Sequence, residues 1–351
     1  MRVTRVSARE ATRYSVAVLT TAGYSAPDAA LCADAFVESA LRGIDSHGFV
    51  SLLPRYARAV LKGIVSSAVE ATVLGKDDTA VTVIEGRGAP GLRAARFALA
   101  QAVERARSYG VGAAVLRNSS YLGALWWCVI PAADAGMIGL GVVNGGPMVA
   151  PHGGLEPLHG TNPIAFVVPR EPFPLVLDMR TNALRMADYW RSLTTGEPLP
   201  AGALLTAEGR PTDAAAHVDS GIYLPLAGAK GFGLALLVDI LGAALAGGTI
   251  GREVSLGDPT DLSAFFLALD PAAFGPAETF RRAVDRLVDQ VHETTPTDPS
   301  ETVRIPGERM ATERERRLRD GIPVDPVLVA EMEAELRGLG LELPALVYAS
   351  T

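Results

Sequence analysis

The chain has 351 residues, 48% hydrophobic and 20% charged, which suffices for one large folded unit or two to three smaller ones and excludes a disordered polypeptide. A formal net charge of −7 leaves no global basic footprint for nucleic acid, and two cysteines, Cys32 and Cys128, cannot build a disulfide framework or a thiolate metal cluster. No apolar stretch in MRVTRVSAREATRY suggests a signal peptide, and the longest apolar run, 232–245, is too short and too interrupted to span a bilayer. A cytoplasmic location with no membrane partner is the expectation.

The N-terminal third reads as helical. Ser7 is placed to cap a helix through Thr21, and Ser25-Ala26-Pro27-Asp28 combines a cap, a first-turn proline and an acid for a second helix to about Arg42. Gly43 ends it, Asp45-Ser46-His47-Gly48 follows as a turn, and Pro54 is expected to open a third helix ending at Gly63. The middle alternates. Helical spacing covers 92–109, 124–135, 182–192 and 230–246, while 112–116, 137–143, 164–168 and 175–177 are short Ile/Val/Leu-rich strands. Gly and Pro crowd 144–163, predicting an extended loop with many exposed amides. Helices over 276–293 and 325–339, each with a first-turn proline, flank a loop at 294–300 and a charged run at 313–319.

Four features can carry chemistry. His47, in a turn between helices and beside Ser46, titrates near neutrality and suits proton transfer, although a turn histidine capping the next helix is the plain alternative. Asn144-Gly145-Gly146-Pro147 and Gly160-Thr161-Asn162-Pro163 can hold an anion on backbone amides or simply be two tight turns. Lys230 with Gly231 and Gly233 opens a helix, which fits anion binding or a surface lysine beside close packing. Asp178 and Asp188 can orient a histidine or act as surface caps, and Trp126-Trp127 reads as core or pocket wall. His152 and His159 lack neighbouring carboxylates at ligand spacing, so no metal is expected. No G-x-G-x-x-G follows a strand, so a Rossmann site has no local support.

Together the stretches DSHG (45–48), RNSSYLGALW (117–126), GMIGLGVVN (136–144), APHGG (150–154), GTNPIAF (160–166), LDMRTN (177–182), GRPTD (209–213), AKGFGLAL (229–236) and IPGER (305–309) resemble the type 2 malate/L-lactate dehydrogenase family. That family also holds ureidoglycolate and sulfolactate dehydrogenases and the Δ1-piperideine-2-carboxylate/Δ1-pyrroline-2-carboxylate reductases. The resemblance implies an α/β fold of non-Rossmann type, with a central, mostly antiparallel sheet and helical terminal segments. It implies that a helical region over 1–75 packs with 295–351, followed by an intermediate segment 76–135 and a cofactor-binding region 136–294. It also implies a homodimer acting on a small-molecule substrate.

Carried over by position, the resemblance implies an acid–base or substrate-orienting role for His47 with Ser46. It places Tyr121, Leu122 and Gly123 along the cofactor, Asn144 and Thr161 near nicotinamide and substrate, and Asp178, Met179 and Arg180 at the adenosine half. Lys230, Pro306, Gly307 and Arg309 are further cofactor contacts. Ala124-Leu125-Trp126 and Asp188 are similar to the cyclic imino acid reductases, where a Ser, a His and this Asp form a proposed relay. Two positions depart from the family: Tyr121 stands where most members have a second His, and Ser51 where most have a carboxylate-binding Arg, with Arg55 as the nearby substitute. A tyrosine is a poor base at neutral pH but can still donate a hydrogen bond or proton. Reduction by NADPH or NADH of a C=N bond beside a carboxylate is therefore the leading expectation, with Arg180 favouring NADPH through a 2′-phosphate. The alternatives are 2-oxo/2-hydroxy acid chemistry with Tyr121 or His47 as acid–base group, or a family member that has lost its chemistry.

Overall fold

The structure is a computed structural model that describes residues 4–349 apart from 76, 77 and 258. The expected boundary at 75/76 thus falls against residues outside the described ones. Helices α1 (Ala8–Ala22) and α2 (Ala26–Leu41) begin where capping side chains dictate: Ser7 Oγ accepts from the Glu10 amide at 3.1 Å and Ser25 Oγ from the Asp28 amide at 3.3 Å. Each such cap contributes about 1 kcal/mol. Ahead of them β1 (Thr4–Val6) pairs antiparallel with β12 (Ile322–Val324), so the two ends of the chain share one ribbon.

Helix α3 (Phe49–Leu61) corrects the expectation for Pro54. The helix starts five residues earlier, with Gly48 as its N-cap, and Pro54 lies buried in its interior. An interior proline removes one backbone hydrogen bond, but Phe49, Leu52, Leu53, Tyr56 and Ala57 bury one continuous face, and that burial overrides the local signal.

The central sheet has seven strands: β2 (Thr72–Val73), β3 (Val81–Glu85), β4 (Val111–Ser119), β5 (Ile138–Val143), β6 (Ile164–Val168), β7 (Leu175–Met179) and β11 (Leu262–Leu269). Their order is β2-β3-β4-β11-β5-β6-β7, and only β3–β4 is parallel, bridged by α4 (Gly91–Tyr109). This is a mostly antiparallel, non-Rossmann sheet, and it has no run of parallel strands whose helix N-termini would need a glycine fingerprint. Helix α4 lies close on the sheet because Ala94, Ala95, Ala98, Ala102 and Ala106 present small side chains along its buried face. Helix α5 (Leu125–Asp134) buries Trp126 and Trp127, with the Arg96 guanidinium 3.6 Å from the Trp127 ring centroid. Cys32 and Cys128 are free and buried.

Strand β11 was not anticipated. It inserts between β4 and β5, pairing with both. Residues 262–269, apolar except for Ser263, put apolar side chains on both faces, so the polar–apolar alternation that marks a half-exposed strand is missing. The helix expected at 182–192 is α6 (Met186–Thr195); Asn182 is instead held by its amide to the Leu184 carbonyl, 3.0 Å, and by a bridge to Pro225. The stretch 144–163 is also more ordered than expected: the Met148 and Val149 amides both donate to the His159 carbonyl at 2.8 Å. A small sheet follows, β8 (Leu204–Leu205), β9 (Pro211–Thr212) and β10 (Ile222–Tyr223). Helix α7 (Ala229–Gly242) buries Gly231, Ala235, Val238 and Asp239 and leaves Leu234, Leu236, Leu237 and Ile240 exposed. Its α turns cover 14 residues, and the 3-10 turn Ala244–Ala246 extends the apolar helical stretch to 18, enough by length and composition alone to cross a membrane. Helices α8 (Ala277–His292), α9 (Glu308–Asp320) and α10 (Pro326–Gly338) complete the chain, with α9 packed on α2 and α10 on α3.

Candidate active site

Ser46 and His47 sit on a single 3-10 turn, Asp45–His47, between α2 and α3. The turn is closed by backbone bonds from His47 to Ile44 (2.9 Å) and from Gly48 to Asp45 (3.1 Å), and Ser51 Oγ adds a third on the Asp45 carbonyl at 2.8 Å. Ser51 is thereby consumed in holding the turn. Arg55, one helical turn further along the same face of α3, is the residue that reaches the cavity.

His47 makes two side-chain hydrogen bonds, one on each ring nitrogen. Ser46 Oγ lies 3.0 Å from Nδ1, and the Tyr121 hydroxyl lies 3.2 Å from Nε2. Tyr121 comes from the segment after β4, 74 residues away, and its carbonyl accepts from the Tyr56 hydroxyl at 3.1 Å. The Arg55 guanidinium stands 4.0 Å from the Tyr121 ring centroid and donates to the Gly257 carbonyl at 2.5 Å. Burial pushes the His47 pKa down to about 4, helped by Arg180 and Arg55, so the ring is neutral at physiological pH. Burial raises the Tyr121 hydroxyl above its ordinary value, and Arg55 opposes that rise. A neutral imidazole between two hydroxyls has one N–H and one lone pair, so a proton can pass along Ser46–His47–Tyr121 by tautomer exchange.

His47, Arg55 and Tyr121 line a cavity of about 270 Å³. The rest of the lining comes from the stretches flanking β5 and β6, with Val143, Asn144, Gly145, Gly146, Gly160, Thr161 and Pro163, and from the segment ahead of β11. Gly145 and Gly160 touch, and a Cβ on Gly160 would lie 2.5 Å from Gly145 Cα. Asn144 is buried and fully engaged, accepting from the Ser263 amide at 2.8 Å and donating to the Thr249 carbonyl at 2.9 Å, which ties the rim of β5 to β11. Leu122 and Gly123 also line the cavity.

The remaining expected residues lie elsewhere. Asp178, at the end of β7, accepts from the Trp126 amide at 2.8 Å and so caps α5; burial nevertheless raises its pKa to about 6. Met179 follows it in β7. Arg180 donates to the Leu184 carbonyl at 3.0 Å, and its charge bears on His47, Tyr121 and Asp178. Asp188, buried in α6, is held by Arg185 (2.6 and 2.7 Å) and Arg191 (3.1 Å), and no hydrogen bond among the described residues joins it to Ser46 or His47. Lys230 is exposed in the first turn of α7. Pro306 accepts from the Val176 amide at 3.2 Å, Gly307 packs against β7, and Arg309 is exposed at the start of α9. Sequence reading missed Met148 and the lining segment Ser255, Leu256, Gly257 and Pro259; the Gly and Pro of that segment were the available signal. His159 bonds Asp239 through Nδ1 at 2.6 Å beneath α7, while His152 is exposed.

The chain is similar over nearly its whole length to known proteins. The malate/L-lactate dehydrogenase family model matches residues 6–333. A malate dehydrogenase of Pyrococcus abyssi is 31% identical over 348 residues, 96% of each chain. A Δ1-pyrroline-2-carboxylate/Δ1-piperideine-2-carboxylate reductase of Pseudomonas putida is 35% identical over 307 residues, 85% of this chain and 84% of the other. The solved malate dehydrogenase of Pyrococcus horikoshii OT3 superimposes with a TM-score of 0.88, covering 97% of both chains at 29% identity.

Proposed function

The chain belongs to the malate/L-lactate dehydrogenase family of oxidoreductases, and we propose that it reduces a C=N bond next to a carboxylate, as in a five- or six-membered cyclic imine. The observation that carries this reading is the neutral His47 with Tyr121 on its Nε2. Neither group is a strong acid, so the pair suits best the substrate that asks least of it, although a tyrosine hydroxyl is acidic enough to protonate a developing alkoxide. Reducing a ketone requires a proton delivered to the developing alkoxide, whereas a protonated imine arrives with its proton and needs none. A nicotinamide cofactor, when bound, would supply the hydride for the imine carbon. The protein's task is to hold the substrate carboxylate on Arg55, position the ring between the two walls, and exclude water. Gly145 and Gly160 pack backbone against backbone, each Cβ direction aimed at the other, so the pair fixes how closely the two loops that line the cavity approach. The 2-oxo acid reading is supported by the malate dehydrogenase of Pyrococcus abyssi, matched over 96% of its length, and would use Ser46–His47–Tyr121 as the proton path.

Incubating the protein with NADPH or NADH and following absorbance loss tests the choice among Δ1-pyrroline-2-carboxylate, Δ1-piperideine-2-carboxylate, pyruvate and oxaloacetate. Turnover of an imine and not of the oxo acids is the expected result; the converse sinks the imine reading. No oxidation despite cofactor binding indicates a member that has lost its chemistry. We favour NADPH because Arg180 is the cation near the end of β7, so Arg180→Ala should erode the preference for NADPH over NADH. A homodimer is included in the proposal: exposed Leu234, Leu236, Leu237 and Ile240 on α7 leave an apolar face for a second copy, and light scattering of the purified protein checks it.

A further inference from the structure

We propose that Arg317, on α9, is the positioning residue that fixes the Ser46-His47 turn in its working orientation. This rests on His47 being at the reacting centre. The side chain of Arg317 is 8% exposed although it carries a full charge. Its Nη1 donates to the Ala40 carbonyl at 2.7 Å and to Asp45 Oδ1 at 2.6 Å, Nη2 reaches Asp45 Oδ2 at 3.3 Å, and Nε bonds Glu313 one turn earlier on α9. One planar guanidinium therefore binds the last turn of α2 and the first residue of the 3-10 turn together.

The placement is specific. Asp45 is the residue whose carbonyl receives both Gly48 N and Ser51 Oγ, so its position sets the turn. Gly43 has φ +76°, and a Cβ there would sit 3.2 Å from Glu313 Cγ and 3.6 Å from Arg317 Nη2, so the bend out of α2 leaves room for the clamp. Glu38 is shared by Arg42 and Arg314 (2.9 Å to Nε), which presses α9 onto the same end of α2. The start of α9 adjoins β7 through the Pro306 carbonyl and Gly307. The ten helical residues from Glu308 to Arg317 thus form a strut of about 15 Å from the strand that carries Asp178 to the turn that carries His47. Lysine cannot replace this arginine, because a single ammonium cannot bind Ala40 and both Asp45 oxygens in one plane.

The test uses Arg317→Lys, Arg317→Ala and the milder Asp45→Asn, which leaves Arg317 its bonds to Glu313 and Ala40. Circular dichroism verifies folding. Two readouts follow: kinetics with NADPH and the best substrate of the panel above, and ¹⁵N shifts of the His47 imidazole in the cofactor-free protein, assigned by His47→Gln. All three variants should lower kcat by roughly 10- to 100-fold, as expected for a small misplacement of a catalytic group, with the KM for NADPH within about twofold. The His47 shifts should move, and its titration midpoint should rise as the ring loosens from Tyr121, Arg55 and Arg180. Arg319→Ala, on the exposed side of the same helix, should change nothing. Unchanged His47 shifts in folded Arg317→Ala and Asp45→Asn overturn the proposal. If wild-type protein turns over no substrate, or His47→Gln keeps full activity, the functional reading fails instead, and the imidazole shifts still decide the clamp.

Discussion

The two walls of the cavity are built on opposite plans. The wall on the helical side offers His47 and Arg55, joined by Tyr121 from the segment after β4, all titratable or charged, each held by a side-chain partner. The sheet wall offers Gly145, Gly146, Gly160 and Thr161, with no ionisable group among them, and its shape is set by backbone contact. In the proposed reaction the division separates chemistry from fit. Side chains that move protons need enclosure and partners that tune them, whereas a slot for a planar ring needs only backbone that approaches closely.

Substitutions can break that division. The largest expected effect is His47→Ala, which should lower kcat by at least ~10²-fold if the helical wall does the chemistry; a wild-type rate removes it from the mechanism. Arg55→Met comes next. Losing a charge-assisted bond should cost about 1.5–3 kcal/mol, read as a rise of roughly 10- to 100-fold in the KM for a carboxylate substrate. On the sheet wall, Gly160→Ala pushes a Cβ to 2.5 Å from Gly145 Cα. Overpacking of this kind costs typically ~1–3 kcal/mol, so melting temperature and cofactor KM should change while the pH profile stays as it was. If Gly160→Ala alters the pH profile, the walls are not separate.

The smallest effect sharpens the comparison most. Because His47 is held near pKa 4 against an ordinary 6.5, kcat should show no limb centred at 6.5 for substrates that bring their own proton. Linkage gives the sign for stability. Between pH 6.5 and 4 the unfolded chain binds more protons at this residue than the folded one, so stability falls as pH drops through that window and levels off below it for this group. Urea midpoints at pH 7 and pH 5 should therefore differ less in His47→Gln than in the wild type.

Local grammar was legible and distant pairing was not. Ser7 and Ser25 could be read as caps because the cap and its amide partner lie three residues apart. The mostly antiparallel sheet and non-Rossmann cofactor fold followed from a resemblance spread over many motifs, and the structure bears them out. Strand β11 escaped because both its faces are apolar and its neighbours in the sheet lie more than a hundred residues earlier. Pro54 misled because a local breaker competes with a whole buried helix face. In the site, Ser46 and His47 stood adjacent in the sequence, but Tyr121 on Nε2 and Arg317 on Asp45 join residues 74 and 272 positions apart. The Ser51/Arg55 question was one of register: α3 sets the two on one face a turn apart, with Ser51 bonded to the Asp45 carbonyl and Arg55 in the cavity lining.

The late arrival of β11 also bears on synthesis. Residues 111–119 and 138–143 leave the ribosome well before 262–269, and the strand that separates them in the finished sheet is the last of the seven to appear. At translation rates of ~5–20 residues per second, the ~120 residues between β5 and β11 keep two unpaired edges waiting for roughly 6–24 s. A nascent chain or truncated fragment ending before Leu262 therefore carries two open strand edges, a template for intermolecular pairing that the full-length chain closes with its own backbone.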